Sequence, residues 1–296
     1  MRAFLTGANG FVGGHLTRHL EAAGDAVDAL PDGVDIGDTS VLLAALTAAS
    51  PDVVYHLAGQ ANVALSWTEP AETMRVNALG TLALLEAVRE LTVRPRVLLV
   101  SSAEVYGAGE GVALDEDAPL RPTNPYAASK VAAEFIGLQA YLGRGIDVVR
   151  ARPFNHIGAG QAEAFVVSGL AKRIVAAERA GGGEIAVGNL AAARDFTDVR
   201  DVVRAYRLLA VEGEAGAVYN VSSGNAIAIA TVLERLVALA AVPVEPRQDA
   251  ALLRPVDVPL LVGDGTRLAK LTGWKPEIAL DDTLVEVLQA WRARGD

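Results

Sequence analysis

The chain has 296 residues, 51% of them hydrophobic, and a formal net charge of −10 at pH 7. That length supports one domain, or one large domain with a smaller lobe, around a substantial core. No basic run accompanies the acidic balance, which excludes nucleic acid as a partner, and the absence of cysteine removes disulfides, thiolate nucleophiles and Cys-ligated metals.

Short apolar runs alternate with helical patterns from the start: AFLT, FVGGHLTRHLEAA, AVDAL, TSVLLAALTAA and VVYHLA. The long amphipathic stretch AETMRVNALGTLALLEAVREL follows, then RVLLVSS, YAASKVAAEFIGLQAYL and IDVVRARP. Strands apolar on both faces and separated by helices predict an α/β fold, a doubly wound parallel sheet with helices on each side. The alternation stops near Pro153. Beyond it come a helix pattern at 165–180, the glycine run 181–183 and the strand-like EIAV. VRDVVRAYRLLA and AVYNVS read as a return to the sheet near 195–225. The expected division is therefore a larger domain of residues 1–153 with that return. Residues 154–194 and 226–296 form a smaller C-terminal lobe.

The N-terminus enters a strand pattern at once, unlike a signal peptide, and every long uncharged window is broken by Gly, Asn, Ser or His. The expectation is a soluble cytoplasmic protein. His15 and His19 stand four apart without the acidic partner of a zinc helix motif, so they read as surface helix residues and no metal is expected.

The first strand runs into GANGFVG, with Gly7, Gly10 and Gly13 spaced Gly-x-x-Gly-x-x-Gly. Gly7 permits the turn off the strand, Gly10 lets backbone approach a pyrophosphate, and Gly13 lets helix pack on sheet. N–H groups at the helix start then face the phosphates. At the end of the second strand, where an acid normally reads the adenosine ribose, stands Pro31. Asp32 lies one residue on, and Asp35 with Ile36 is placed to edge the adenine. No Lys or Arg occurs between Arg18 and Arg75, so a 2′-phosphate among Asp28, Asp32, Asp35 and Asp38 lacks a local cation. NADH is favoured slightly over NADPH.

YAASK sets Tyr126 and Lys130 on one helix face. A phenol of ordinary pKa about 10 is a poor acid or base at neutral pH, and a nearby ammonium favours phenolate. Ser102, at a strand mouth, is placed to hydrogen-bond the same substrate oxygen. The three side chains make a proton-transfer site for a carbonyl or alcohol beside a nicotinamide. Glu104, two residues on, reads either as a proton-handling group or as a positioner.

GANGFVG, HLAG at 56–59, NALGT at 77–81, SSAEVYG and YAASK, in that order, resemble the extended short-chain dehydrogenases/reductases. The resemblance spans the whole chain and implies a Rossmann-type domain carrying NAD or NADP, plus a C-terminal lobe holding a nucleotide-sugar. It implies catalytic roles for Ser102, Tyr126 and Lys130, with Glu104 beside them. Cofactor contacts are implied for Gly7, Asn9, Gly10, Phe11, Val12, Gly13, Asp35, Ile36, Leu57, Ala58, Gly59, Asn77, Ser101, Tyr126, Lys130 and Pro153. SWTEP, RPFNHIGAGQ, VGNLAAARDFTDVRDVV and RPVDVP look most like the GDP-4-keto-6-deoxy-D-mannose reductases, with the GDP-mannose 4,6-dehydratases close by. The substrate set implied there is Asn155, Lys172, Arg194, Arg254 and Asp257. Each arginine alone reads equally as a surface ion pair. A homodimer through helices at 71–91 and 126–142 is the family's usual assembly. A dinucleotide-binding regulator without turnover is the alternative of another class.

Overall fold

Strand β1 (Arg2–Thr6) leads through the glycine loop into α1 (Phe11–Ala22), then β2 (Ala26–Ala29), α2 (Thr39–Ala49) and β3 (Val53–His56) in a computed structural model that describes residues 1–109, 111–252, 256 and 258–294. Short helices α3 (Val63–Thr68) and α4 (Pro70–Met74), then a π-helical turn at Arg75–Leu79, precede α5 (Gly80–Glu90) and β4 (Arg96–Val100). A 3₁₀ turn at Ala103–Tyr106 and a loop lead to α6 (Pro125–Arg144) and β5 (Val148–Pro153). After β6 (Asn155–Ile157) come α7 (Val166–Ala180), β7 (Gly183–Val187), β8 (Ala193–Asp198), α8 (Val199–Glu212) and β9 (Val218–Val221). The chain ends through β10 (Ala226–Ala228), α9 (Ile229–Ala238), β11 (Val244–Gln248), β12 (Leu260–Leu261), α10 (Thr266–Thr272) and α11 (Leu280–Ala293).

The larger sheet has the order β2-β1-β3-β4-β5-β9, with every pairing parallel. Strand alternation splits its apolar residues between two cores. Leu5, Tyr55, Leu98 and Val149 pack with Leu16, Leu20, Val202 and Tyr206 of α1 and α8. Phe4, Val54, Leu99 and Val148 pack with Leu42, Leu46, Leu84 and Val88 of α2 and α5. This is the period-two pattern of a sheet buried on both faces. Leu98 is 0% exposed, and its truncation to Ala costs about 2–5 kcal/mol.

The strand order reverses between β1 and β3, which opens a crevice beyond their C-terminal ends. β9 does return to the larger sheet, beside β5. β8 instead pairs with β6, β10 and β12, so the re-entry starts at Val199 and not near 195. A further core of Ile157, Leu170, Ile174, Phe196, Leu233 and Leu288 fills the lobe. Asp198 joins lobe to sheet by capping α8 at Arg200 N, 2.8 Å, and accepting from Thr283 Oγ1 of α11, 2.7 Å.

Among the described residues, no helix is long and apolar enough to cross a membrane, and no cluster of acidic or His side chains is arranged for a metal ion.

Candidate active site

At the C-terminal end of β1, Gly7 takes φ +77°, and a Cβ there would meet the Ala58 backbone nitrogen at 2.8 Å. A Cβ on Gly13 would stand 2.5 Å from the Ala8 carbonyl oxygen. Both positions therefore require glycine for space, and Gly7 for conformation as well. Gly10 is the N-cap of α1, whose first turn has neither a side-chain cap nor an acidic residue. Exposed Asn9 and half-buried Phe11 and Val12 surround this helix start. Uncapped N–H groups beside backbone that tolerates no Cβ fit a dinucleotide pyrophosphate.

The adenosine side differs from expectation. Asp35 is exposed, but Arg75 reaches back from the π-helical turn to bond both its oxygens, at 2.8 and 3.0 Å. Glu72 holds the same guanidinium, and the hydrogen bonds from Arg75 and from Gly37 N keep the Asp35 carboxyl below its ordinary range. Thus a cation does stand at this loop, supplied from 40 residues away in sequence and already paired with two acids. The Ile36 side chain is buried beneath Gly80, so only its backbone is left to edge a base. Asp38 caps α2 through Ser40 N and Val41 N, at 2.9 and 3.2 Å.

Beyond β3, Leu57 N and Ala58 N bond the backbone oxygen and the Oγ1 of Thr6, both at 3.2 Å. A Cβ on Gly59 would lie 2.9 Å from Asn77 Oδ1 and 3.5 Å from Lys130 Nζ. Asn77 is fixed in turn, its Oδ1 accepting from Gln60 N at 2.8 Å and its Nδ2 donating to Ser129 Oγ at 2.8 Å. His56 bridges Thr6 and Thr81 at 2.8 and 3.0 Å, and complete burial lowers it to about 3, so its ring is neutral.

Tyr126 and Lys130 share the buried face of α6, and Ser102, whose Oγ accepts from Glu104 N at 3.2 Å, lies close enough to the Tyr126 phenol to act on its pKa. Ser101 is buried, and its Oγ makes no hydrogen bond among the described residues. Burial pushes Tyr126 up to about 12, Ser102 offsets part of that, and Glu104 adds to it. Lys130 lies one helical turn on. Its Nζ donates to the Val100 carbonyl, 3.0 Å, and burial brings the lysine down to about 8 against the opposing charge of Glu134. Tyr126 therefore stays a phenol at neutral pH. Pro153 ends β5, buried beside Val221.

Glu104 is half-buried and accepts from Asn124 Nδ2 at 3.2 Å. Asn124 Oδ1 caps α6 at Ala127 N, 2.8 Å, with Pro125 at the first helical position. The carboxylate is thus tied to the start of the helix carrying Tyr126. Asn124 escaped the sequence reading, although Asn-Pro before an apolar helix is a readable N-cap signature.

The residues expected to hold substrate are dispersed. Asn155 lies half-buried on β6. Arg194 is buried on β8, where Nη1 donates to the carbonyls of Ala193 and Val258 at 2.9 and 2.7 Å. Lys172 is exposed, engaged by Glu163 and 5.7 Å from the Trp291 ring, so its charge is committed on the lobe surface. Arg254 and Asp257 lie outside the described residues. His15 is no free surface residue: it is half-buried, edge-on to Phe11 at 5.3 Å and 3.2 Å from the Ala159 carbonyl. Phe11 also stacks on His156 at 6.3 Å, joining the glycine loop to the segment after β6.

A parallel sheet whose strand order reverses beside a glycine loop, with a serine near a buried tyrosine and a lysine one helical turn on, is the architecture of an extended short-chain dehydrogenase/reductase. A family model described as GDP-mannose 4,6 dehydratase matches residues 32–287, and the chain belongs to that family. It is 41% identical over 298 residues to the GDP-6-deoxy-D-mannose reductase of Pseudomonas aeruginosa, covering 99% of this chain and 98% of the relative. It is 28% identical over 280 residues to the GDP-mannose 4,6-dehydratase of Sinorhizobium fredii, covering 86% of this chain and 78% of the relative. A solved structure described as RMD from Pseudomonas aeruginosa complexed with NADPH has a TM-score of 0.91, at 38% identity, with 100% of each chain covered.

Proposed function

We propose that this chain reduces the C4 keto group of GDP-4-keto-6-deoxy-D-mannose to the alcohol of a GDP-6-deoxyhexose, GDP-D-rhamnose or GDP-6-deoxy-D-talose. The observation that carries the reading is Tyr126, a buried phenol beside Ser102 and one helical turn from Lys130, held protonated at neutral pH. A reductase needs its proton donor in that state. Similarity to a reductase along the whole chain supports the same choice. A bound nicotinamide cofactor supplies the hydride. Tyr126 gives its phenolic proton to the C4 oxygen, and Ser102 stabilises charge developing there. Lys130, near Gly59 and Asn77, holds the nicotinamide ribose and returns positive charge to the site. The Gly7–Gly13 loop binds the pyrophosphate, with Ser101 and Pro153 beside the nicotinamide. Asn155 and Arg194, with Arg254 and Asp257, contact the GDP-sugar, whereas the commitment of Lys172 argues against it. Glu104 positions the helix start through Asn124.

The acidic segment after β2, whose neighbouring Arg75 is paired with Asp35 and Glu72, supports NADH over NADPH. A second copy of the chain covers the face where Leu82 on α5 and Phe135 and Leu142 on α6 stand exposed, giving a cytoplasmic homodimer.

One assay tests the reaction. GDP-mannose is supplied without reductant, then the 4-keto-6-deoxy sugar with NADH or NADPH. Cofactor oxidation with the keto sugar alone supports the reductase. Conversion of GDP-mannose without net cofactor consumption makes the chain a dehydratase, the second reading, which the electrostatic contact of Glu104 with Tyr126 favours. Binding without turnover makes it a regulator.

A further inference from the structure

Arg152 is 4% exposed and lies one residue before Pro153. Its Nε donates to both oxygens of Glu134, at 2.8 and 3.1 Å, and Nη2 adds a bond of 2.7 Å. Nη1 donates to the Tyr106 hydroxyl at 2.9 Å and to the Glu116 carbonyl at 3.1 Å. Tyr106 passes the chain on, donating to Asn220 Oδ1 of β9 at 2.7 Å. Glu134, 0% exposed, continues the row of Tyr126 and Lys130 along α6. Tyr106 closes the 3₁₀ turn that starts after Ser102 and contains Glu104.

One guanidinium therefore ties together the helix bearing Tyr126 and Lys130, the turn bearing Ser102 and Glu104, and the strand ending in Pro153. Stability alone is a poor reason to bury such a pair, because apolar side chains of similar volume are often as good or better. Resting on the function proposed above, we infer that Arg152, clamped between Glu134 and Tyr106, is a positioning residue. It sets the register of α6 against the Ser102–Tyr106 turn, and hence the meeting of Ser102, Tyr126 and Lys130. Glu134 has a second effect through its charge. Lys130 is faced by Tyr126 and Glu134 on its own helix and by neutral His56 on β3, with the cations Arg150 and Arg152 of β5 beyond Glu134. Glu134 is the anion that keeps Lys130 charged in this group.

The test compares Tyr106→Phe, Glu134→Gln and Arg152→Lys in the full chain, with Tyr126→Phe as control. Circular dichroism and thermal melting identify the folded variants. Tyr106→Phe removes one hydroxyl from the clamp and keeps the ring. It is expected to lower kcat about tenfold while KM for sugar and cofactor stays within about twofold. Glu134→Gln is expected to move the alkaline limb of kcat to lower pH, because losing the anion lowers the Lys130 pKa. Arg152→Lys, lacking the planar fork, is expected to rescue only part of the activity. Wild-type kcat in folded Tyr106→Phe, together with an unmoved limb in Glu134→Gln, would overturn the inference. Full turnover in Tyr126→Phe would instead refute the site reading beneath it. Should Glu134→Gln or Arg152→Lys not fold, Tyr106→Phe alone decides.

Discussion

Replacing Asn124 separates two jobs that one side chain performs. Its Oδ1 caps α6 at Ala127 N, and its Nδ2 holds Glu104 Oε2 at 3.2 Å. Asn124→Ala loses both. Loss of the cap costs about 1 kcal/mol, or roughly 2 °C in melting temperature for a chain of this size. The bond to Glu104 is long and half-buried, which puts it below the usual range for charged acceptors, at about 1 kcal/mol. If that energy holds the helix start in the reacting geometry, kcat falls about fivefold further. Asn124→Asp keeps the cap and turns the donor into a second carboxylate facing Glu104. The expected outcome is a near-wild-type melting temperature with reduced kcat. The measurement is steady-state reduction of the 4-keto sugar from pH 5 to 8 alongside thermal melting. Wild-type kcat in Asn124→Asp throughout that range would refute the claim that the Asn124–Glu104 bond serves catalysis.

Tyr126→Phe removes the proton donor and should lower kcat by about 10²–10⁴, whereas Glu104→Gln, keeping an acceptor for Asn124, should slow turnover only modestly. Equal losses would show that Glu104 handles a proton itself. Gly13→Ala forces a methyl against the Ala8 carbonyl, so the loop must shift. Calorimetric titration should show cofactor affinity weakened by about tenfold or more, corresponding to 1–3 kcal/mol of overpacking. All four histidines have pKa values lowered by burial. Below their unfolded value near 6.5 the unfolded chain therefore binds protons that the folded chain refuses, and stability falls with acid. His56, lowered to about 3, contributes a slope of about 1.4 kcal/mol per pH unit between roughly pH 6 and 4. Urea titrations of His56→Gln should show that slope reduced by about one proton, and an unchanged slope would mean His56 titrates normally in the folded protein.

Much of this molecule is written in local pattern. Alternating apolar runs predicted the parallel sheet, because strands buried on both faces have little choice of residue. The glycine triad and the Tyr126–Lys130 spacing were readable because each depends on neighbours within one turn or loop. Contacts closed by tertiary folding were hidden. Arg75 reaches Asp35 only after α4 has packed, so a stretch without cations gains one. The Arg152 clamp joins residues 18 and 46 positions apart, and no spacing rule links them. The environment of Tyr126 was hidden for a different reason. Helical spacing puts Lys130 on its face, but only the folded chain shows that burial pushes the phenol up and that the ammonium donates to the Val100 carbonyl.

The edge of the larger sheet bears on how cofactor preference changes over time. β2 is its outermost strand, four residues long, and the loop from there to α2 is anchored in the core by Leu30 and Ile36. Pro31, Asp32, Gly33 and Asp35 between them, and Gly37 just beyond, are exposed. Substitutions or short insertions there touch the adenosine end of the crevice without disturbing either layer of packed helices. On the proposed binding mode, selection can exchange one dinucleotide for another in this stretch at little thermodynamic risk, while the proposed catalytic residues stay behind in the interior.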